Sequence, residues 1–364
     1  MKVLKTLKVF ALNSCKLIKP IKSIQSSLQG IFSVLLCASL FFLCEKTHAQ
    51  DIHLTQFYTN QQNLNPAMVG MYDGAYRAVG NYRYQWPEIN KPITTGMVGF
   101  DKKFFFFKDE IDAGILVAND NYSGFALNTT KIFLTGAYKK IIKGHEVRAG
   151  IQLGAVIKST DLSSQTFPDQ WAYQDGIFDP TIYNGEDNLN GSQSYFDMNL
   201  GAAWSYKFKK FTPTVGFSIF HVTRPKDTYF TTQTERLRTR QSVQVLVDVP
   251  INASISAEPK FMYMWTTKVS DMLLGTNVKY HIKNAMVKNV YLGVLYRGGF
   301  GRNSDAISPV AGFHIKNFDI GLSYDVNVSK LSAQSSRKTT FELSIIYTAP
   351  VFLPKSLAIP CDRY

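Results

Sequence analysis

Asn65-Pro66-Ala67 is the first stretch of the chain whose residue types have a chemical use. In water pores such a triplet sits where two half-helices meet among apolar helices, and no such helices can be read here. The same residues serve equally as a turn: Asn caps, Pro fixes φ, and Gly70 releases the chain. Arg77 and Arg83, with Asp73 and Trp86 nearby, come next. Alternation puts both arginines on one face of a strand, and a guanidinium enclosed there requires carboxylates or carbonyls. Asp73, Asp197, Asp319 and Asp325 are the partners the sequence offers, in a structural charge network or, as a second reading, a lumenal ligand or selectivity site. Between Asp161 and Asn190, Asp169, Asp175, Asp179, Glu186 and Asp187 mix with Trp171, Tyr173, Phe178 and Tyr183. That spacing lacks the 12-residue loop and sharp Gly turn of a calcium site. A solvated loop, or a partner surface with Trp171 and Tyr173 as anchors, fits it better. The histidines at 53, 145, 221, 281 and 314 have no metal-ligand spacing. No GxSxG elbow or phosphate-binding glycine loop occurs. The expectation is a non-enzymatic protein without metal or cofactor.

Bulk composition agrees with a folded membrane-facing chain. Of 364 residues, 45% are hydrophobic and 18% charged, which excludes disorder. Aromatics reach 13%, mostly Phe and Tyr, as strands and interfacial girdles require. The formal charge of +13 is inflated by the N-terminus: seven Lys and one Glu precede Gln50, leaving +7 on the remainder. Those charges are scattered, so nucleic acid is not an expected partner. Lys2 to Lys22 form a positive n-region, Ile31 to Cys44 an apolar core too short for a comfortable membrane helix, and Ala49 a small residue at the cleavage position. Residues 1–49 are therefore expected to be a signal peptide. Beyond it only Cys361 remains, so no intramolecular disulfide framework exists.

The elements that would position these residues are strands. Val147, Ala149, Ile151, Leu153, Ala155 and Ile157 alternate with Glu146, Arg148, Gly150, Gln152, Gly154, Val156 and Lys158. Ser194–Phe208 and Phe318–Asn327 repeat the pattern. Runs of this length exceed ordinary strands of about 5–6 residues and suit a bilayer crossing, which takes roughly 9–11. The second face carries Gly, Ser, Asn, Asp and Gln, as in a barrel lumen, where a soluble sandwich would show Lys and Glu. Backbone groups in lipid must all be paired, and among sheets only a closed one does so without edges. About 14 such segments, from Ala75–Trp86 to Thr339–Tyr347, predict an all-β transmembrane antiparallel barrel over residues 75–348. Residues 50–74 form a lead-in, in or under the barrel, and residues 349–364 a periplasmic tail. Short links such as Lys143–Gly144 suit the periplasmic side, and the long Ser159–Gln193 and Val222–Thr239 the outside.

One further signal lies in wording rather than periodicity. Gln56-Phe57-Tyr58-x-Asn60, Leu64-Asn65-Pro66-Ala67-x-x-Gly70, Asp73-Gly74-x-Tyr76-Arg77 and Asn81-Tyr82-Arg83-x-Gln85-Trp86 resemble the opening of the PorP/SprF family. That family comprises outer-membrane proteins of the type IX secretion and gliding machinery of Bacteroidota. The resemblance implies an outer-membrane protein that anchors, or supports export of, a surface protein carrying a type IX C-terminal sorting domain. It also implies links to periplasmic type IX components. Gln56, Phe57, Asn65 and Pro66 then belong to an entry segment packed against the barrel. The competing expectation is a plugged transport channel for small or hydrophobic solutes.

Overall fold

The computed structural model describes residues 52–351 except 88–91, 107–108, 162–165, 175, 184–190, 228–235, 268, 284–285, 300–303 and 330–338. The expected signal peptide and most of the expected tail, with Cys361, lie outside the described residues. The chain forms β1 (Tyr76–Gln85), β2 (Ile93–Phe106), β3 (Asp109–Tyr122), β4 (Leu127–Ile142) and β5 (His145–Thr160). A small hairpin of β6 (Trp171–Ala172) and β7 (Ile177–Phe178) follows, then β8 (Gly191–Tyr206), β9 (Thr212–Phe220), β10 (Arg240–Pro250) and β11 (Ile255–Trp265). The series ends with β12 (Ser270–His281), β13 (Val287–Gly298), β14 (Ala306–Ile315), β15 (Phe318–Asn327) and β16 (Thr339–Thr348).

All of these except β6 and β7 join in sequence order into one closed antiparallel barrel, β16 pairing back onto β1. The expected barrel of about 14 strands is thus observed, with boundaries within a few residues of the alternation. Closure satisfies the backbone that lipid cannot hydrogen-bond. Among the described residues no helix is long and apolar enough to cross a membrane; the strands do that work.

Period two sorts the side chains. Val98, Leu134, Ile151, Phe196 and Leu292 stand exposed on the outside, while Asp101, Arg148, Gln152 and Asp197 are buried on the inside. Such inversion is stable only where the outside solvent is hydrocarbon. Aromatics ring both rims: Tyr76, Phe318 and Tyr347 pack together at one, Phe217, Tyr263 and Trp265 at the other. The connections divide the same way. At the rim where the chain enters β1 and leaves β16, every link between strands is short, 143–144 and 316–317 being two residues each. The long links, 161–190 and 221–239, open at the opposite rim.

The lumen is occupied. Residues 52–75 run inside it from near the long-loop rim toward the short-turn rim, through a one-turn helix α1 (Gln61–Leu64) and a 3-10 turn (Pro66–Met68). Phe57, Leu64, Ala67 and Met68 pack with Ala203, Met262, Leu273, Tyr291, Leu295 and Val310 of the wall. The largest buried apolar cluster is therefore the contact between the lead-in and the inner wall, while Leu116, Phe133 and Val156 form a smaller one within the wall.

Candidate functional site

The lead-in is polar in sequence because it must satisfy a polar wall. Its own backbone is capped locally: the Asn60 side chain accepts from Asn63 N at 3.3 Å to start α1. Asn65 accepts from Ala67 N at 2.9 Å to start the 3-10 turn, whose first residue is Pro66. Asn65-Pro66-Ala67 is thus a turn rather than pore chemistry. Asn65 Nδ2 meanwhile faces the carbonyls of Ala202 and Phe217 and Gln244 Oε1, at 3.1, 3.2 and 3.1 Å. The turn presses so closely on the wall that a Cβ at Gly150 would lie 2.4 Å from Ala67 N, and one at Gly201 2.0 Å from Asn65 Oδ1. Those lumenal glycines form the seat of the turn.

Three buried charge groups hold the segment along its length. Near the long-loop rim, Glu342 accepts from the backbone N–H of Thr55 and of Gln56, each at 2.8 Å, and from Arg83 Nη1 at 3.2 Å. Arg83 also donates to Thr55 Oγ1 at 2.7 Å and reaches Asp325 at 3.4 Å, which Arg297 joins at 2.9 Å. Gln56 spans β15 and β16, its amide donating to Ser323 Oγ and accepting from Ser344 Oγ. Toward the short-turn rim, Arg77 pairs with Asp101 at 2.7 Å and donates to Gln61, while Gly70 N donates to the same carboxylate. Past them, Arg148 donates to the carbonyls of Ala67 and Val69, at 3.1 and 2.7 Å, and to Asp112. Each charge is enclosed and each is paired, the condition under which burial is tolerated.

The structure corrects the charge partners expected from sequence. Arg77 meets Asp101, not Asp73, which lies exposed where the lead-in leaves the lumen. The cause is register: Asp101 stands directly opposite Arg77 across β1 and β2, as Glu342 stands opposite Arg83 across β1 and β16. Of the carboxylates expected, Asp325 does serve Arg83, while Asp197 pairs with His221 and Asp319 with Tyr291. Asp101, Asp112 and Glu342 are not among those expected carboxylates, though each sits at an inward phase of its strand, the signal by which the sequence marks them. Phe57 lies in the core, edge-on to Tyr58. Trp86 is half-buried at the far end of β1, in the left-handed region with φ 57°, its N–H donating to Thr339 O at 2.8 Å. Trp86 is therefore remote from Asp73.

Trp171 and Tyr173 belong to none of the three charge groups. They lie on the β6–β7 hairpin of the long loop, where Trp171 stacks edge-on against Phe178 at 4.9 Å and Tyr173 is 89% exposed. Ile177, Phe178 and Tyr183 are exposed beside them. The Thr181 hydroxyl and backbone N–H donate to Asp179 at 2.6 and 2.8 Å and hold its carboxyl below the ordinary range. Among the described residues no three His, Cys, Asp or Glu groups converge on a possible metal position. The site can therefore hold an internal segment rigidly and present an apolar, acidic loop outside.

The family model described as type IX secretion system membrane protein PorP/SprF matches residues 46–347. A search of curated proteins returned no match. Among solved structures, the CymD monoaromatic hydrocarbon channel is 9% identical with a TM-score of 0.50, covering 81% of this chain and 93% of its own. The toluene transporter TbuX of Ralstonia pickettii is 13% identical, TM-score 0.45, covering 79% and 92%. The translocator domain of the autotransporter NalP from Neisseria meningitidis is 10% identical, TM-score 0.42, covering 79% and 93%. At such identities only the barrel fold is shared.

Proposed function

The chain belongs to the PorP/SprF family of type IX secretion system membrane proteins, and we propose that it acts there as a fixed, non-conducting outer-membrane anchor for an exported surface protein. The observation that carries this reading is the filled lumen. A channel needs a continuous wet path, whereas here Arg77 and Arg83 of β1 and Arg148 of β5 bind the lead-in at Gln61, Thr55 and Ala67 while their charges are used on wall carboxylates. Closing the barrel in this way yields a rigid frame for the loops. The long loop of 161–190, with exposed Tyr173 and Phe178 beside a half-buried Trp171, grips the exported partner, aromatic side chains being the usual anchors of such contacts. The short-turn rim, where the lead-in emerges at Asp73 and the chain leaves β16, faces the periplasm and its type IX components.

The test is purification of the full chain, tagged after Tyr364, from native membranes in mild detergent. The expected result is a near-stoichiometric exported protein or periplasmic type IX components, lost when loop 161–190 is replaced by a short Gly-Ser link. A barrel that purifies alone and conducts ions in planar bilayers would overturn the anchor and favour a solute channel.

A further inference from the structure

The turn between β8 and β9, Lys207-Phe208-Lys209-Lys210-Phe211, brings three lysines to the short-turn rim. The Phe208 N–H closes it on the Phe211 carbonyl at 3.0 Å, and the two rings stack 4.8 Å apart. Both rings and all three lysines are exposed. Tyr206 continues the stack, edge-on to Phe208 at 4.6 Å and parallel to His145 at 4.3 Å. His145 in turn accepts from Trp204 Nε1 at 3.3 Å. A Cβ at Gly144 would lie 3.5 Å from Tyr206, so the β4–β5 turn, with exposed Lys143, adjoins this cluster. Other lysines of the rim are occupied: Lys139 pairs with Glu110, Lys140 with Asp109, and Lys103 donates to the Tyr72 carbonyl. The side chains of Lys143, Lys207, Lys209 and Lys210 have no ion pair among the described residues. Register accounts for the difference. Glu146, opposite Ser205, and Asp248, opposite Thr212, sit at the inward phase, and Glu146 is taken by Arg148 and Lys139.

The lipid-facing wall dips beside this cluster. Across β4, β5, β8 and β9, Tyr138, Ala149, Ala202 and Phe217 stand in one row, two small side chains between two exposed rings. Trp204 and Tyr206 follow Ala202 on the same face toward the rim. We propose that this part of the barrel holds one anionic glycerophospholipid of the periplasmic leaflet. An acyl chain lies in the dip at Ala149 and Ala202, and the ester region meets the Trp204, His145 and Tyr206 cluster. The phosphate is taken by Lys207, Lys209 and Lys210 with Lys143, whose long stems reach along apolar surface and place the ammonium at headgroup level. An aromatic belt alone anchors any lipid; the unpaired lysines make this part selective. Neither turn contains a carboxylate. A headgroup whose only charge is its phosphate is therefore favoured over phosphatidylcholine, whose quaternary ammonium would sit among lysines. The inference rests on the periplasmic placement of the short-turn rim given above, and on no part of the 161–190 loop.

The full chain in detergent is mixed with equal amounts of phosphatidylglycerol and phosphatidylcholine of identical acyl chains, and retained lipid is read by native mass spectrometry. One phosphatidylglycerol per barrel should be retained, with a preference of about tenfold over phosphatidylcholine. Lys207→Gln, Lys209→Gln and Lys210→Gln combined should remove that preference. Ala202→Trp, which fills the dip and leaves the charges, should cut retention of both lipids. Lys283→Gln with Lys288→Gln, exposed at the β12–β13 part of the same rim, should change nothing. Equal retention of the two lipids by the wild type overturns the proposal and leaves the lysines to an acidic protein. Retention unchanged in the triple variant or in Ala202→Trp also overturns it. So does an equal loss in the Lys283 and Lys288 variant, which reports the charge of the whole rim. Displacement of the lipid by equimolar glycerol phosphate overturns it too, and means a site for free phosphate. Heat-modifiable migration on a gel confirms that each variant has folded. Detergent removes leaflets and partners, so the anchor reading fails or stands separately. An impermeant thiol label on Lys209→Cys in intact cells reads the orientation; labelling above the wild type overturns the leaflet assignment, and none is expected.

Discussion

Replacing Glu342 by Ala tests the claim that the lumen is closed by discrete latches. Glu342 is fully buried and receives three donors: the backbone N–H groups of Thr55 and Gln56 and the Arg83 guanidinium. Removing the carboxylate strands two amides and half of a buried cation. Breaking a buried pair in this manner costs about 3–5 kcal/mol. The fourteen-strand ladder does not pass through the Glu342 side chain, so the cost falls on the seating of residues 52–60 rather than on the barrel. At about 1.4 kcal/mol per tenfold, the opened population of that stretch rises on the order of a hundred- to a thousandfold. Amide hydrogen exchange in detergent reads it directly. Thr55 and Gln56 should exchange faster by that factor, while strand amides of β3–β5 keep their protection. Glu342→Gln, which retains one acceptor oxygen, should fall between. If Thr55 and Gln56 remain as protected as in the wild type, the lead-in is held by its apolar contacts alone and the latch argument is wrong. In planar bilayers the Ala variant should show intermittent conductance against a silent parent.

Three other outcomes follow from the same geometry. Gly150→Val puts side-chain atoms where Ala67 and Pro66 rest; chymotrypsin should then cut after Phe57, Tyr58 or Tyr72 while the barrel still migrates as a folded, heat-modifiable species. Leu134→Arg places a charge on the lipid face near the middle of β4. It should lower stability in vesicles by about 2–4 kcal/mol in urea titrations, whereas Tyr173→Arg on the exposed hairpin should stay within about 0.5 kcal/mol. The Asp179 carboxyl, stabilised in its charged form by Thr181, should titrate below the ordinary 3.8 in NMR. A depressed value means its support of the turn is complete above that ordinary value and fades as pH falls through the lowered one; Thr181→Val should return the titration toward 3.8.

Much of the architecture is legible without coordinates because a membrane barrel obeys a local rule. Each strand must alternate between lipid and lumen and must be long enough to cross. Ser270–His281, Ala306–Ile315 and Phe318–Asn327 can therefore be delimited from side-chain phase alone. The same phase marks Arg77, Arg83 and Arg148 as inward, and the Asn65-Pro66 turn follows from residue chemistry. What phase leaves open is who meets whom. Pairing register decides that Arg77 faces Asp101 and Arg83 faces Glu342, partners 24 and 259 positions away. Closure of β16 onto β1 creates the second pair outright. The path of residues 52–75, descending inside the lumen from the long-loop rim, is likewise a tertiary outcome. A polar segment of that composition can be solvated anywhere, and only the matching rows of Gln, Ser, Asn and Arg on the inner wall make the lumen its lowest-energy place.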